Sequence, residues 1–155
     1  GQESGRRGGT ENAPAIAGFG AATVAFPDRF YRADVGTLVR AAEDGMRSMC
    51  PELVIFGESA DRIGNVSNFA VPGVRNSVAM MGLDLAGISV SSGSACSSGK
   101  VGTSHVLAAM GVRNDLSECA LRISFGWSST MADVEAYLKA FGEVVGRHKA
   151  RRVAA

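Results

Sequence analysis

Apolar residues Val35, Leu38, Val39, Ala42, Met46 and Met49 recur at steps of three and four between positions 33 and 49, so all fall on one face of a helix. Pro51 closes that helix. Upstream, Asn12 reads as an N-cap, Pro14 fits a first turn, and Ile16, Phe19 and Val24 lie in an Ala-rich stretch. Together they predict a helix to about Ala25, ended by Pro27. The run Leu53 to Phe56, short and followed by Gly57, reads as a buried strand. A second strand is expected from Val66 to Val71, stopped by Pro72-Gly73. Asn76 is expected to cap a helix carrying Val78, Met80, Met81, Leu83 and Leu85, with Gly87 as its end and a short strand at Ile88 to Val90.

From Ser91 to Gly99 the chain reads Ser-Ser-Gly-Ser-Ala-Cys-Ser-Ser-Gly, with no period and almost no bulk, and is therefore expected to be a loop. Thr103 or Ser104 can cap a short helix through Val106, Leu107 and Met110 that Gly111 ends. Leu121, Ile123 and Phe125 then alternate with Arg122 and Ser124, which puts the apolar set on one face of a strand and Arg122 on the other. Val134, Leu138, Phe141 and Val145 mark a last helix, followed by a basic tail over 147–152. Strands separated by helices predict an α/β (α+β) domain of two layers, helices packed on a small mixed sheet. Strand order is not legible at this level.

Composition narrows the function classes. The 155 residues include 16 Lys+Arg and 15 Asp+Glu, a net charge of +1, which offers no broad field for a polyphosphate or an anionic membrane. Neither nucleic acid nor a membrane is the expected partner, since no apolar run approaches the ~18 residues of a span. Three cysteines, Cys50, Cys96 and Cys119, suit free thiols in a reducing compartment, so the expected location is cytoplasmic. The chain opens at Gly1 in a Gly/Arg stretch without Met, which reads as part of a longer protein.

Four groups could carry chemistry. Cys96, alone in its Ser/Gly loop, is the thiol best placed to meet a substrate, although the same loop would also serve as a plain linker. Cys50 and Cys119 sit where small buried hydrophobes sit. A metal site built from the three cysteines and His105 lacks any Cys-x-x-Cys pair or matching His spacing, so no metal is expected. Arg122 is a candidate anion clamp because a guanidinium matches a carboxylate in a planar fork, while periodicity alone favours a solvated arginine on an edge strand. Gly8-Gly9-Thr10, ahead of a helix start, offers backbone N–H groups and a hydroxyl to a phosphate, without the spacing or lysine of a nucleotide-binding loop.

Three stretches taken together resemble one family: residues 1–12, Gly-Gln-Glu-Ser-Gly-Arg-Arg-Gly-Gly-Thr-Glu-Asn; the Ser-Ser-Gly-Ser-Ala-Cys of 91–96; and Leu121-Arg122-Ile123-Ser124-Phe125-Gly126. They resemble the C-terminal part, chiefly the small domain, of pyridoxal-phosphate-dependent cysteine desulfurases of the NifS/IscS type, which are fold-type I enzymes. The resemblance implies an enzyme that takes sulfur from L-cysteine, leaves L-alanine and holds a persulfide on Cys96 for an iron-sulfur scaffold or another acceptor. It implies that Arg122 pairs with the substrate carboxylate, and that Thr10 reaches the phosphate of the cofactor in the neighbouring subunit of a homodimer. Residues 1–30 would then be an inter-domain loop and linking helix, and 31–155 the small domain with the cysteine loop at 91–100.

One departure bears on activity. The family's Schiff-base lysine lies in a Ser-x-His-Lys context in the large domain, and Lys100, Lys139 and Lys149, the lysines here, have no such context. The resemblance therefore implies that the large domain is absent from this chain, and pyridoxal 5'-phosphate is expected in the full enzyme but not on this chain alone. A stand-alone sulfur-carrier or interaction module is the alternative from a different class. A selenocysteine lyase fits the cofactor but the cysteine loop less well.

Overall fold

A computed structural model describes residues 3–6, 8–32, 34–92 and 104–153. Six α-helices are described, α1 (Ala13–Arg32), α2 (Val35–Met49), α3 (Asn76–Asp84), α4 (His105–Ala109), α5 (Asn114–Ser117) and α6 (Met131–Val153), with three strands, β1 (Val54–Ile55), β2 (Val66–Ala70) and β3 (Ala120–Ser124). The strands form one sheet in the order β1-β2-β3, with both pairings antiparallel. The expected α/β class therefore holds, with an antiparallel sheet in place of a mixed one. β1 and β2 follow each other closely enough to pair as neighbours, and antiparallel pairing needs no long crossover.

Register decides what each sheet face carries. Ser67 opposes Ile123 and Phe69 opposes Leu121 on the first face; Val66 opposes Ser124, Asn68 opposes Arg122 and Ala70 opposes Ala120 on the second. The first face is buried under α2 and α6, with Leu38, Val39, Ala42 and Met46 from α2 and Val134, Tyr137, Phe141 and Val145 from α6 in one core. Phe69, fully buried, meets Phe141 edge to face with ring centroids 6.1 Å apart. Truncating such a phenylalanine to alanine costs about 3–5 kcal/mol, because the cavity does not close. The helices come close enough to need glycine at their contacts. A Cβ on Gly82 of α3 would lie 2.8 Å from Val144 Cγ2, and one on Gly45 of α2 would lie 3.2 Å from Leu138 Cγ.

Among the described residues, the second face is covered at one end only. Phe56, Ala70, Leu107, Cys119 and Ala120 form a smaller core, joined by Val54, Val112 and Leu116, which seats α4 and α5. Ser104 caps α4 as expected, its Oγ accepting from Leu107 N–H at 3.4 Å. Gly111, at φ +75°, ends it: its N–H reaches Ala108 O at 3.0 Å and the N–H of Val112 reaches Leu107 O at 2.9 Å. That pair of bonds is a Schellman ending, and Val112 and Leu107 make its apolar contact.

Several local expectations are corrected. Asn12 does cap α1, its Oδ1 accepting from Ala15 N–H at 3.1 Å, but Pro27 lies inside the helix instead of ending it. Asn76 is the first residue of α3, with Arg75 at the cap position and no side-chain cap bond. Residues 88–90 form no strand; the pairing falls one residue later, where Ser91 makes an isolated bridge with Arg122. The one-turn helix α5 was not expected, and the basic residues after 146 continue α6 to Val153 instead of forming a tail beyond it.

Candidate functional site

Arg122 sits in the middle of β3, and the alternation that places it opposite the apolar set is observed: Leu121, Ile123 and Phe125 are buried, Arg122 is half-buried and Ser124 exposed. Its main chain is fixed on the far side by Ser91, whose N–H donates to Arg122 O at 3.0 Å and whose O accepts from Arg122 N–H at 2.8 Å. Ser91 opens the Ser/Gly stretch and Ser104 follows it as the cap of α4, which packs on Ala120. One flank of that stretch is therefore bonded to the outer edge of β3 at Arg122, and the other caps the helix that packs on the sheet face carrying Arg122. Cys96 itself lies outside the described residues, as do the rest of 93–103.

Thr10 is exposed, in an irregular segment ahead of α1 with Gly9 at φ +91°. The described residues of α1 are exposed almost throughout, including Ile16, Phe19 and Val24. Nothing described brings Thr10 to Arg122. The other two cysteines behave as core residues. Burial, reinforced by Glu52, pushes the Cys50 thiol up to about 11, and burial also raises Cys119, whose Sγ–H donates to Asp115 O at 3.3 Å. Both are thus held as thiols, poor nucleophiles at neutral pH. His105 is exposed on α4, and among the described residues no group of three His, Cys, Asp or Glu side chains could hold a metal ion.

The described lysines lie away from Arg122. Lys149 Nζ–H donates to Met49 O at 3.2 Å and lies 3.5 Å from Glu52, so it closes the C-terminal end of α2. Lys139 is exposed on α6, the helix that covers the opposite sheet face from Arg122. A groove of about 330 Å³ runs between α3 and α6, lined by Val78, Met81, Leu85, Arg147 and His148, and it too lies away from Arg122.

Periodicity missed one polar cluster. Glu43 is buried on α2, gripped by Arg62 and bonded by Ser67. The signal was present, because position 43 falls in phase with Val39 and Met46 on the apolar stripe, and a carboxylate there demands a partner. No helix described is long and apolar enough to cross a membrane.

Comparison with known proteins gives one answer. The aminotransferase class-V family matches residues 1–137. A cysteine desulfurase of Gluconacetobacter diazotrophicus is 36% identical over 150 residues, covering 94% of this chain and 37% of that protein. A putative cysteine desulfurase, IscS 1 of Bacillus subtilis, is 36% identical over 149 residues, covering 94% of this chain and 39% of that protein. The crystal structure of a NifS-like protein from Rickettsia africae superposes with a TM-score of 0.81 at 33% identity, over 94% of this chain and 38% of that one. This chain thus spans about two fifths of the length of these relatives. A match over 137 of 155 residues, with a sheet and helix arrangement shared with the NifS-like structure, makes this chain a member of the aminotransferase class-V family.

Proposed function

We propose that this chain is the substrate-clamping and sulfur-accepting part of a cysteine desulfurase that acts as a homodimer. The observation that supports the reading most is the position of Arg122. It is a half-buried arginine on a sheet face that the described residues cover at one end only, main-chain paired to Ser91, where the Ser/Gly stretch bearing Cys96 begins. The fork of Arg122 receives the carboxylate of L-cysteine. The Cys96 thiolate takes the substrate sulfur: an S–S bond forms, the C–S bond breaks with its electron pair left on carbon, and protonation of that carbon gives L-alanine. The persulfide then passes its outer sulfur to an iron-sulfur scaffold or another thiol acceptor.

Pyridoxal phosphate is the cofactor of that reaction, and its anchoring lysine would come from the part of the enzyme this chain does not span. When bound, the cofactor would take up the electron pair released as the C–S bond breaks; of the described lysines, Lys149 is bonded to Met49 O and Lys139 lies on the helix covering the opposite sheet face. Thr10 is proposed to serve the phosphate of the cofactor in the partner subunit, its exposure on a Gly-rich segment being suited to an outside contact.

The test uses the full-length protein. Arg122→Ala is expected to lower kcat/KM for L-cysteine by about 2–4 kcal/mol in transition-state terms, with Arg122→Lys recovering part of it because a point charge cannot copy the fork. Unchanged kinetics in the Ala variant would leave Arg122 a solvated strand residue. The absence of a suitable lysine among the described residues also favours a second reading, a sulfur-carrier module loaded by another enzyme. Recovery of persulfide on Cys96 only when a separate desulfurase is added would select it.

A further inference from the structure

The main-chain bonds around Arg122 determine which neighbour its side chain meets. Arg122 directs its N–H and C=O to Ser91, and Asn68 directs its C=O away from β3 to accept from Phe56 N–H at 2.8 Å. Asn68 and Arg122, directly opposite in register, are therefore a non-hydrogen-bonded pair of the antiparallel ladder. In such a pair the Cα atoms are about 4.5 Å apart and the side chains are at their closest. Both residues are half-buried on the second sheet face. Among the described residues neither side chain has a hydrogen-bond partner, so a carboxamide with two N–H donors and a guanidinium with five stand side by side. One flank is dry, because the next pair along the strands is Ala70 and Ala120, packed under Leu107.

We propose that Asn68 is the second half of the clamp: its carboxamide N–H donates to one oxygen of the same carboxylate that Arg122 holds by its fork. A carboxylate has about four lone-pair sites, and a bidentate guanidinium occupies two, so a donor one strand away fills a third and fixes the rotation of the carboxylate about the fork. The adjoining Leu107–Ala120 wall strengthens both bonds by excluding water from one side. Asn68 thus selects for a planar carboxylate held in one orientation over other anions held by charge alone. The inference rests on the reading of Arg122 as the carboxylate-binding residue.

The test needs neither cofactor nor turnover. Propionate is titrated into this chain, labelled with nitrogen-15, at constant ionic strength kept with chloride, and the Asn68 side-chain amide and the Arg122 Nε–H are followed by NMR. Both signals are expected to move along one curve with a common midpoint. Asn68→Ala is expected to raise that midpoint about fivefold or more, as for loss of a hydrogen bond to a charged group. Asn68→Asp, nearly isosteric, is expected to abolish the response, because its carboxylate takes the fork and repels the ligand. A response at Arg122 with none at Asn68, and an unchanged midpoint in both variants, would overturn the proposal while leaving Arg122 its role. A response that survives in Arg122→Ala would overturn the reading of Arg122 itself.

Discussion

Arg62 holds both carboxylate oxygens of Glu43, Nη1 to Oε1 at 2.9 Å and Nη2 to Oε2 at 3.2 Å, while Ser67 Oγ–H donates to Oε1 at 2.6 Å. The pair ties the segment after β1 to the buried side of α2, and Ser67 brings β2 into the same knot. Burial opposes ionisation of Glu43, but the bonds from Arg62 and Ser67 with the charge of Arg62 outweigh it, and the carboxyl titrates below the usual glutamate value of 4.5.

A carboxyl whose folded value lies below its unfolded one stabilises the fold above the unfolded value, and that stability is lost as pH falls through the folded value. Stability is therefore expected to be level near neutrality and to fall once pH drops below about 4.5. In Glu43→Gln that part of the acid limb is expected to flatten. Arg62→Ala, which leaves the carboxylate buried and unpaired, is expected to cost roughly 2–3 kcal/mol at pH 7, since Arg62 is itself partly exposed. Urea unfolding of the three proteins at pH 7 and pH 4 checks both; an Arg62→Ala protein as stable as the parent would reduce the knot to a surface pair.

Gly82→Ala is expected to lower stability by about 1 kcal/mol. Alanine gains about 1 kcal/mol of helix propensity over glycine, while overpacking a tight contact costs about 1–3 kcal/mol. The atom in the way, Val144 Cγ2, belongs to a β-branched side chain that cannot rotate aside freely. Pairing the change with Val144→Ala should restore most of the packing, and thermal melts of the single and double variants read the difference.

Gly18→Ala and Gly20→Ala behave oppositely, because a Cβ at either position meets nothing within 4 Å. Helix content measured by circular dichroism should rise, whereas Tm should stay within a degree or so, because α1 contributes little to the core whose melting Tm reports. A Tm shift as large as that of a core variant would show α1 packed on the domain.

Brief treatment with iodoacetamide near neutral pH is expected to modify Cys96 before Cys50 or Cys119. The latter two are 0% and 5% exposed, and both thiols titrate above the ordinary range. Peptide mapping by mass spectrometry decides it. In denaturant all three should react alike; equal labelling in the native protein would remove the distinction on which the proposed role of Cys96 depends.

Elements with a strong period were legible, as were the endings built on Ser104 and Gly111, because local chemistry alone determines them. What failed depended on surroundings. Proline at position 27 is compatible with a helix when its neighbours carry the turn, and the solvent-exposed α1 tolerates the missing bond. The pairing of Ser91 with Arg122 in place of a strand at 88–90 is a matter of register, which no single segment encodes. The helix α5 is four residues long, too short for a period to show. Arg122 was legible as an outward-facing strand residue, but Asn68 was not legible as its neighbour, since that relation exists only once β2 and β3 are paired.

The same α1 that Pro27 fails to end has a mechanical consequence. Twenty residues at 1.5 Å each make an arm about 30 Å long, comparable to the width of a small domain. It carries the Gly8–Thr10 segment at its outer end and is stiff along most of its length. Its weak point is Pro27, which has no N–H to give to the carbonyl of Thr23, leaving the ladder one bond short there. A load on the outer end would bend the arm at that elbow, so the direction in which Thr10 is presented is governed from a residue seventeen positions away.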